Sequence, residues 1–190
     1  MNAAEQIVEQ YLQLCKHCFT MADVKVEDGN NRQLDLLAIN PAEKTQYHIE
    51  VSVTHDLGFA PDANKLRAEF DRKFRGLPPA RAGKGTDHAK GKLYLDAIKE
   101  TYDKFGLNPD KVVRVYCCWV TKETDDEVMA FCDEYAQETG LKIEIWSLRD
   151  KVVPELLTKI GTTNYDHPIL RTLSLLQQYN KQQQKNGSNK

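Results

Sequence analysis

Apolar and polar positions change period several times along this chain, and each change marks an element. From Ala3 to Phe19, the residues Ile7, Val8, Tyr11, Leu12, Leu14, Cys15, Cys18 and Phe19 share one arc at about 100° per residue, the signature of an amphipathic helix. Glu5 sits at the edge of that arc, close to Leu12, whereas Glu9 lies farther round toward water. A strand is expected through Val24-Lys25-Val26, and Asp28-Gly29-Asn30-Asn31 turns the chain into its most regular part. There two arms rich in β-formers, Gln33 to Ile39 and Gln46 to Val53, flank a connection opened by Asn40-Pro41, the pattern of a hairpin.

After the hairpin the period lengthens. Asp62 to Arg75 reads as a helix, Gly76 to Gly85 is interrupted by glycine and proline, and a second helix is expected from His88 to Phe105 with the stripe Tyr94, Leu95, Ile98, Tyr102, Phe105. Val112 to Val120 is apolar enough for a strand buried on both faces. A helix over Asp125 to Glu138, stopped by Gly140, and a strand over Lys142 to Trp146 complete a parallel crossover unit. Helices follow at Val153 to Ile160 and Pro168 to Tyr179. Asn180 to Lys190 carries no apolar anchor and is expected to fray or be disordered. The whole predicts one α/β domain over residues 1–179 with a short tail, a size that supports a substantial core.

Composition narrows the class. The 190 residues are 41% hydrophobic and 28% charged, with no apolar run of membrane-spanning length. Met1 to Gln6 lacks the basic region and apolar core of a secretory signal, so a cytoplasmic location and no membrane partner are expected. Cys15 and Cys18 have a ligand-like spacing, but no second pair follows, and the adjacent Cys117 and Cys118 point to opposite faces of a strand; reduced, packed thiols are expected rather than zinc. The formal net charge of -2 argues against indiscriminate coating of nucleic acid. Its distribution is uneven: Lys65, Arg67, Arg72, Lys73, Arg75, Arg81, Lys84, Lys90 and Lys92 face only Glu69, Asp71 and Asp87 in that segment. Such a segment is either a solvated surface or a grip on phosphates, for which Lys65, Arg72, Lys73, Arg75, Arg81, Lys84 and Lys92 are the candidates.

The candidate chemistry lies in the hairpin. A loop centred between residues 42 and 43 places Asp35 directly opposite Glu50, on one face. Facing carboxylates repel and partial burial penalises both. A divalent cation removes that conflict, since Mg²⁺ takes one or two carboxylates with water and phosphate oxygens; alternatively, the strand face is simply solvated. His48 shares the face of Glu50 and His55 follows the strand, so each is either a ligand or general base or an ordinary packed histidine. Trp119 and Trp146 are expected in the core rather than as base-stacking platforms.

The segments Gln33-Leu34-Asp35-Leu36-Leu37-Ala38 and His48-Ile49-Glu50-Val51-Ser52, in the order helix, antiparallel strands, helix, strand, helix, strand, resemble the PD-(D/E)XK nuclease superfamily over residues 3–120. Within it the region resembles Holliday junction resolvases and Mrr-type endonucleases. The resemblance implies a restriction-endonuclease-like α/β fold, a central mixed β-sheet flanked by helices. It implies a Mg²⁺ or Mn²⁺ site on Asp35, Glu50 and the Val51 carbonyl, with Glu5 on the first helix completing the catalytic set, and DNA as substrate. The chain departs from the pattern at Ser52, which stands where the family has a lysine beside the attacking water. A hydroxyl cannot supply that positive charge. Either another lysine reaches the point, with Lys90 the first candidate and Lys92 and Lys65 beside it, or the fold persists as a catalytically inactive module that binds nucleic acid or protein. Paired cuts in duplex DNA would suit a two-fold homodimer.

Overall fold

The hairpin forms where the pattern of β-formers puts it. In the computed structural model, which describes residues 1–28, 31–54, 60–77 and 94–187, strand β2 spans Gln33–Asn40 and β3 spans Thr45–Ser52. Asn40 shapes their turn, its side-chain oxygen accepting the backbone N–H groups of Ala42 (2.9 Å) and Glu43 (3.0 Å). The register runs from Asn40↔Thr45 to Leu36↔Ile49, so the next step brings Asp35 opposite Glu50, as the loop length predicts.

Around this hairpin lies a five-stranded sheet of order β1-β2-β3-β4-β5, with β1 at Phe19–Lys25, β4 at Val113–Cys118 and β5 at Ile143–Ser147. The first three strands pair antiparallel, and β3-β4-β5 pair parallel. Helices α1 (Ala3–Cys15), α5 (Val153–Ile160) and α6 (Pro168–Gly187) cover one face; α2 (Ala63–Phe74), α3 (Leu95–Lys104) and α4 (Asp125–Thr139) cover the other. The protein is thus an α/β fold with a central mixed sheet flanked by helices. Strand β4 is buried on both sides, with Val115 and Cys117 in one core and Tyr116 and Cys118 in the other, which separates the adjacent cysteines as expected.

Several boundaries differ from the sequence reading. Helix α1 stops at Cys15 rather than Phe19, because His17 takes a left-handed backbone (φ 54°) and the Asn40 side chain donates to the Lys16 carbonyl at 2.8 Å. Phe19 therefore leaves the apolar arc and opens β1, 76% exposed. The strand expected at Val24 to Val26 is longer, because Phe19 to Ala22 as well as Val24 and Lys25 find partners along β2. Trp119 lies just past the end of β4 and is 40% exposed, against the expected core position; Trp146 is buried as expected. Leu148–Val152 forms a π-helical turn that periodicity did not signal. Helix α6 continues to Gly187, beyond the Tyr179 boundary of the expected tail, with Gln177 and Gln178 bonded to the carbonyls of Leu157 and Thr162.

On the α2/α3 face the apolar residues form two clusters, one around Leu34, Leu37, Ile98 and Tyr102, the other around Leu66, Phe70, Phe74 and Tyr116. His48 lies in the seam between them, its ring 5.1 Å from Phe74 and 5.6 Å from Tyr102. A polar centre built on His48 and Glu50 occupies that seam.

Candidate active site

Strands β1 and β2 change face where Asp35 sits. Leu36 and Ala38 pack with α1, whereas Leu34 packs with α3, so regular alternation breaks at the residue between. Across the pair, Asp23 adopts φ 54°, and the ladder steps from Ala22↔Leu36 to Val24↔Leu34. Asp35 thereby turns its carboxylate toward β3, where Oδ2 accepts the Val51 backbone N–H at 2.8 Å. A side chain here does the work of a strand carbonyl and carries charge to Glu50 at the same time.

Glu50 is 1% exposed, and both of its oxygens are engaged. Oε1 accepts from His48 Nε2 at 2.9 Å, and Oε2 accepts from the Lys73 ammonium. The same Lys73 Nζ lies 3.6 Å from Asp35 Oδ2. His48 Nδ1 in turn lies 2.6 Å from the Tyr102 hydroxyl. A polar line therefore runs Tyr102, His48, Glu50, Lys73, Asp35, buried over its first three members and half-buried at the last two, with α2 contributing the cation and α3 the phenol.

The electrostatics follow from that line. Burial, reinforced by the charge of Glu50 and opposed by Lys73 and the Val51 N–H, pushes the Asp35 carboxyl up to about 7. Burial also pushes Glu50 up, but the His48 hydrogen bond and Lys73 outweigh it and hold Glu50 below the usual range, so it is the charged member. Burial likewise lowers Lys73, yet Glu50 and Asp35 more than offset this and keep it an ammonium. His48 is driven down by burial against the pull of Glu50 and stays neutral.

Of the residues expected from sequence, Asp35 and Glu50 are brought together. Glu5 lies close enough for its charge to raise Asp35, but both of its oxygens serve the α1 capping box, accepting Asn2 N at 2.7 Å and Asn2 Nδ2 at 2.5 Å. Ser52 shares the face of Glu50 and hydrogen-bonds to the Tyr116 phenol. Val51 is buried, its N–H given to Asp35. Arg72 pairs with Glu69 and Arg75 with Asp71, so both are engaged within α2; Lys65 lies in its first turn. His55, Arg81, Lys84, Lys90 and Lys92 lie outside the described residues.

Lys73, read from sequence as a phosphate-gripping surface residue, is instead the cation at the carboxylates. A signal was present: Leu66, Phe70 and Phe74 form the buried stripe of α2, and Lys73 falls at the i+7 position of that same stripe, where a surface residue does not belong. Of the two readings of His48, the packed and hydrogen-bonded one fits, because both ring nitrogens are occupied within the protein. Cys15 and Cys18 are raised by burial, Cys18 to about 11, opposite to the thiolates zinc requires.

A metal fits on donor chemistry. Among the described residues no group of three or more His, Cys, Asp or Glu could hold an ion, but Mg²⁺ needs only one or two carboxylates when water and substrate phosphate complete its shell. Asp35 and Glu50, with the Val51 carbonyl, supply that smaller set. Burial and the Glu50 charge raise Asp35 even with Lys73 present, and a dication would offset what Lys73 leaves.

Comparison with known proteins adds little. No family model matches the chain, and no curated protein does. The crystal structure of a protein of unknown function, AF1548, is similar to this chain at 15% identity, covering 90% of this chain and 89% of that one with a TM-score of 0.41. A likeness at that level carries no argument about activity.

Proposed function

We propose that this protein is a metal-dependent nuclease of the PD-(D/E)XK type that hydrolyses phosphodiester bonds in DNA. The observation that carries the reading is Lys73. Ser52 leaves the motif without its positive charge, and an ammonium from α2 stands against both carboxylates. Asp35, Glu50 and the Val51 carbonyl would hold Mg²⁺ or Mn²⁺. When bound, that ion supplies Lewis-acid stabilisation of phosphate charge and a more acidic water. Glu50, held ionised by His48 and Lys73, would bind it, Asp35 would be the second carboxylate beside it, and Lys73 would offer N–H donors where negative charge develops on the phosphate oxygens. No helix among the described residues is long and apolar enough to cross a membrane.

A second reading is a binding module that has lost catalysis. It is favoured by the complete engagement of Glu50, whose two oxygens are satisfied within the protein. Cleavage assays on linear, branched and single-stranded DNA with Mg²⁺ and Mn²⁺ separate the two. The nuclease reading expects cleavage by the parent and a loss of ~10²-fold to 10³-fold in Lys73→Met, the usual cost of removing one group that stabilises transition-state charge. A parent inert on every substrate, or a Lys73→Met variant as fast as the parent, refutes it.

A further inference from the structure

We infer that His48 and Tyr102 are positioning residues for Glu50: Tyr102 anchors the His48 ring at Nδ1, and His48 holds one Glu50 oxygen inward from Nε2 so that the other faces Lys73 and the metal position. The inference deepens the nuclease reading and rests on it for its catalytic meaning. Its physical basis is the direction of each hydrogen bond along a line closed to solvent. His48 and Tyr102 are both 0% exposed, so no water sets their protons.

A carboxylate only accepts, so the 2.9 Å contact requires the proton on His48 Nε2. A neutral imidazole then has a lone pair on Nδ1, which must receive a donor, and the Tyr102 hydroxyl is 2.6 Å away. Burial pushes Tyr102 well above the usual phenol range, so it keeps the proton it donates. Arg114 supports the arrangement from β4. It is 4% exposed, is anchored to the carbonyls of Val112 (3.3 Å) and Pro109 (3.2 Å), and lies with its guanidinium carbon 5.7 Å from the Tyr102 ring centre. A fixed cation there opposes a second charge on His48.

Register places the parts. His48 and Glu50 are two residues apart on β3 and share a face, Arg114 is the β4 partner of His48, and Tyr102 reaches in from α3. A carboxylate with one oxygen locked by a charge-assisted bond cannot rotate, so its second oxygen is presented in one orientation. Outer-sphere hydrogen bonds of this kind orient metal ligands, and removing one costs about tenfold to a hundredfold in metal affinity.

The test uses the full chain labelled with ¹⁵N-histidine. The parent should show His48 as the Nε2–H tautomer at neutral pH, and Tyr102→Phe should shift the Nδ1 resonance to that of a nitrogen accepting no hydrogen bond while keeping the far-ultraviolet circular dichroism of the fold. Mn²⁺ affinity, read by titration calorimetry, should fall about tenfold in Tyr102→Phe and up to about a hundredfold in His48→Leu. His48→Gln, whose amide can still donate to Glu50, should recover most of the affinity lost in His48→Leu, which a merely structural role would not produce. If His48→Leu does not fold, Tyr102→Phe decides the matter alone. An Nδ1–H tautomer or an imidazolium in the parent overturns the inference, as does unchanged Mn²⁺ affinity in folded Tyr102→Phe. A parent that binds no Mn²⁺ overturns it together with the nuclease reading. A parent that binds Mn²⁺ and shows the expected tautomer and variant affinities, yet cleaves no nucleic acid, overturns the nuclease reading alone.

Discussion

Removing the charge of Asp35 should stabilise the metal-free protein. The native carboxyl stands at about 7 against an ordinary 3.8, chiefly through burial and then through Glu50. At about 1.4 kcal/mol for each pH unit, that rise sets a ceiling near 4 kcal/mol on the penalty of ionising Asp35 in the fold. The sign follows from linkage. The native state holds this proton more tightly than the unfolded chain, so stability from this group is fully present below about pH 4, is lost as pH rises toward 7, and stays lost above it. Asp35→Asn keeps an oxygen to accept the Val51 N–H and removes the charge, with an NH2 group in place of the second oxygen. Lys73 gives up its contact at 3.6 Å but retains Glu50, so a gain of roughly 1–3 kcal/mol above pH 7 is expected within the ceiling set above. Urea unfolding of parent and variant in EDTA, at steps between pH 4.5 and 8.5, measures the difference directly. It should be near zero at the acid end and grow through pH 7. A variant no more stable than the parent at pH 8, or a difference independent of pH, refutes the reasoning. Adding Mn²⁺ should then narrow or reverse the gap, because an ion that binds only the native parent stabilises it by mass action.

Three further outcomes are expected. Ser52→Lys introduced into Lys73→Met should restore part of the lost cleavage by returning an ammonium to the motif position, and no recovery in a folded double variant would mean that Ser52 does not face the reacting phosphate. Glu5→Gln should cost only about 0.5–1 kcal/mol in melting experiments, the scale of a weakened cap, and leave cleavage within a few-fold; a hundredfold loss of rate would instead give Glu5 a catalytic part. Gly76→Ala should destabilise by about 1–3 kcal/mol, because φ is +72° there and an added Cβ would lie 2.8 Å from Tyr94 Cβ; wild-type urea stability in this variant would overturn that account.

The hairpin was legible because three independent signals agreed: β-formers in both arms, Asn-Pro at the turn, and a loop length that fixes register. From register alone followed the meeting of Asp35 and Glu50. Strand β4 and the crossover through α4 were legible for a similar reason, since Thr124 and Glu127 form a capping box and Gly140 takes φ 73° at the other end. The start of β1 was not, because Cys18 and Phe19 continue the apolar arc of α1, and periodicity cannot register a left-handed His17 or an Asn40 side chain arriving from another strand. Trp119 was misjudged by treating the apolar run after Val112 as uniform strand, although pairing ends at Cys118.

Lys73 shows why the polar half of a site is harder to read than the apolar half. Counted with its neighbours it is one of nine basic residues in a segment, and counting discards direction. Direction comes from the helix: Leu66, Phe70 and Phe74 aim one face of α2 at the sheet, and Lys73 is carried inward with them. Burying an ammonium there is costly unless anions await it. The sequence does contain those anions, but only as Asp35 and Glu50, about 40 and 20 positions earlier and meaningful only once paired. A lysine out of place on a helix and two carboxylates out of place on a hairpin are each anomalies with a bland explanation. Taken together they are mutually compensating charges, and that compensation, rather than the short motif itself, is the physical reason to look for chemistry at this point of the fold.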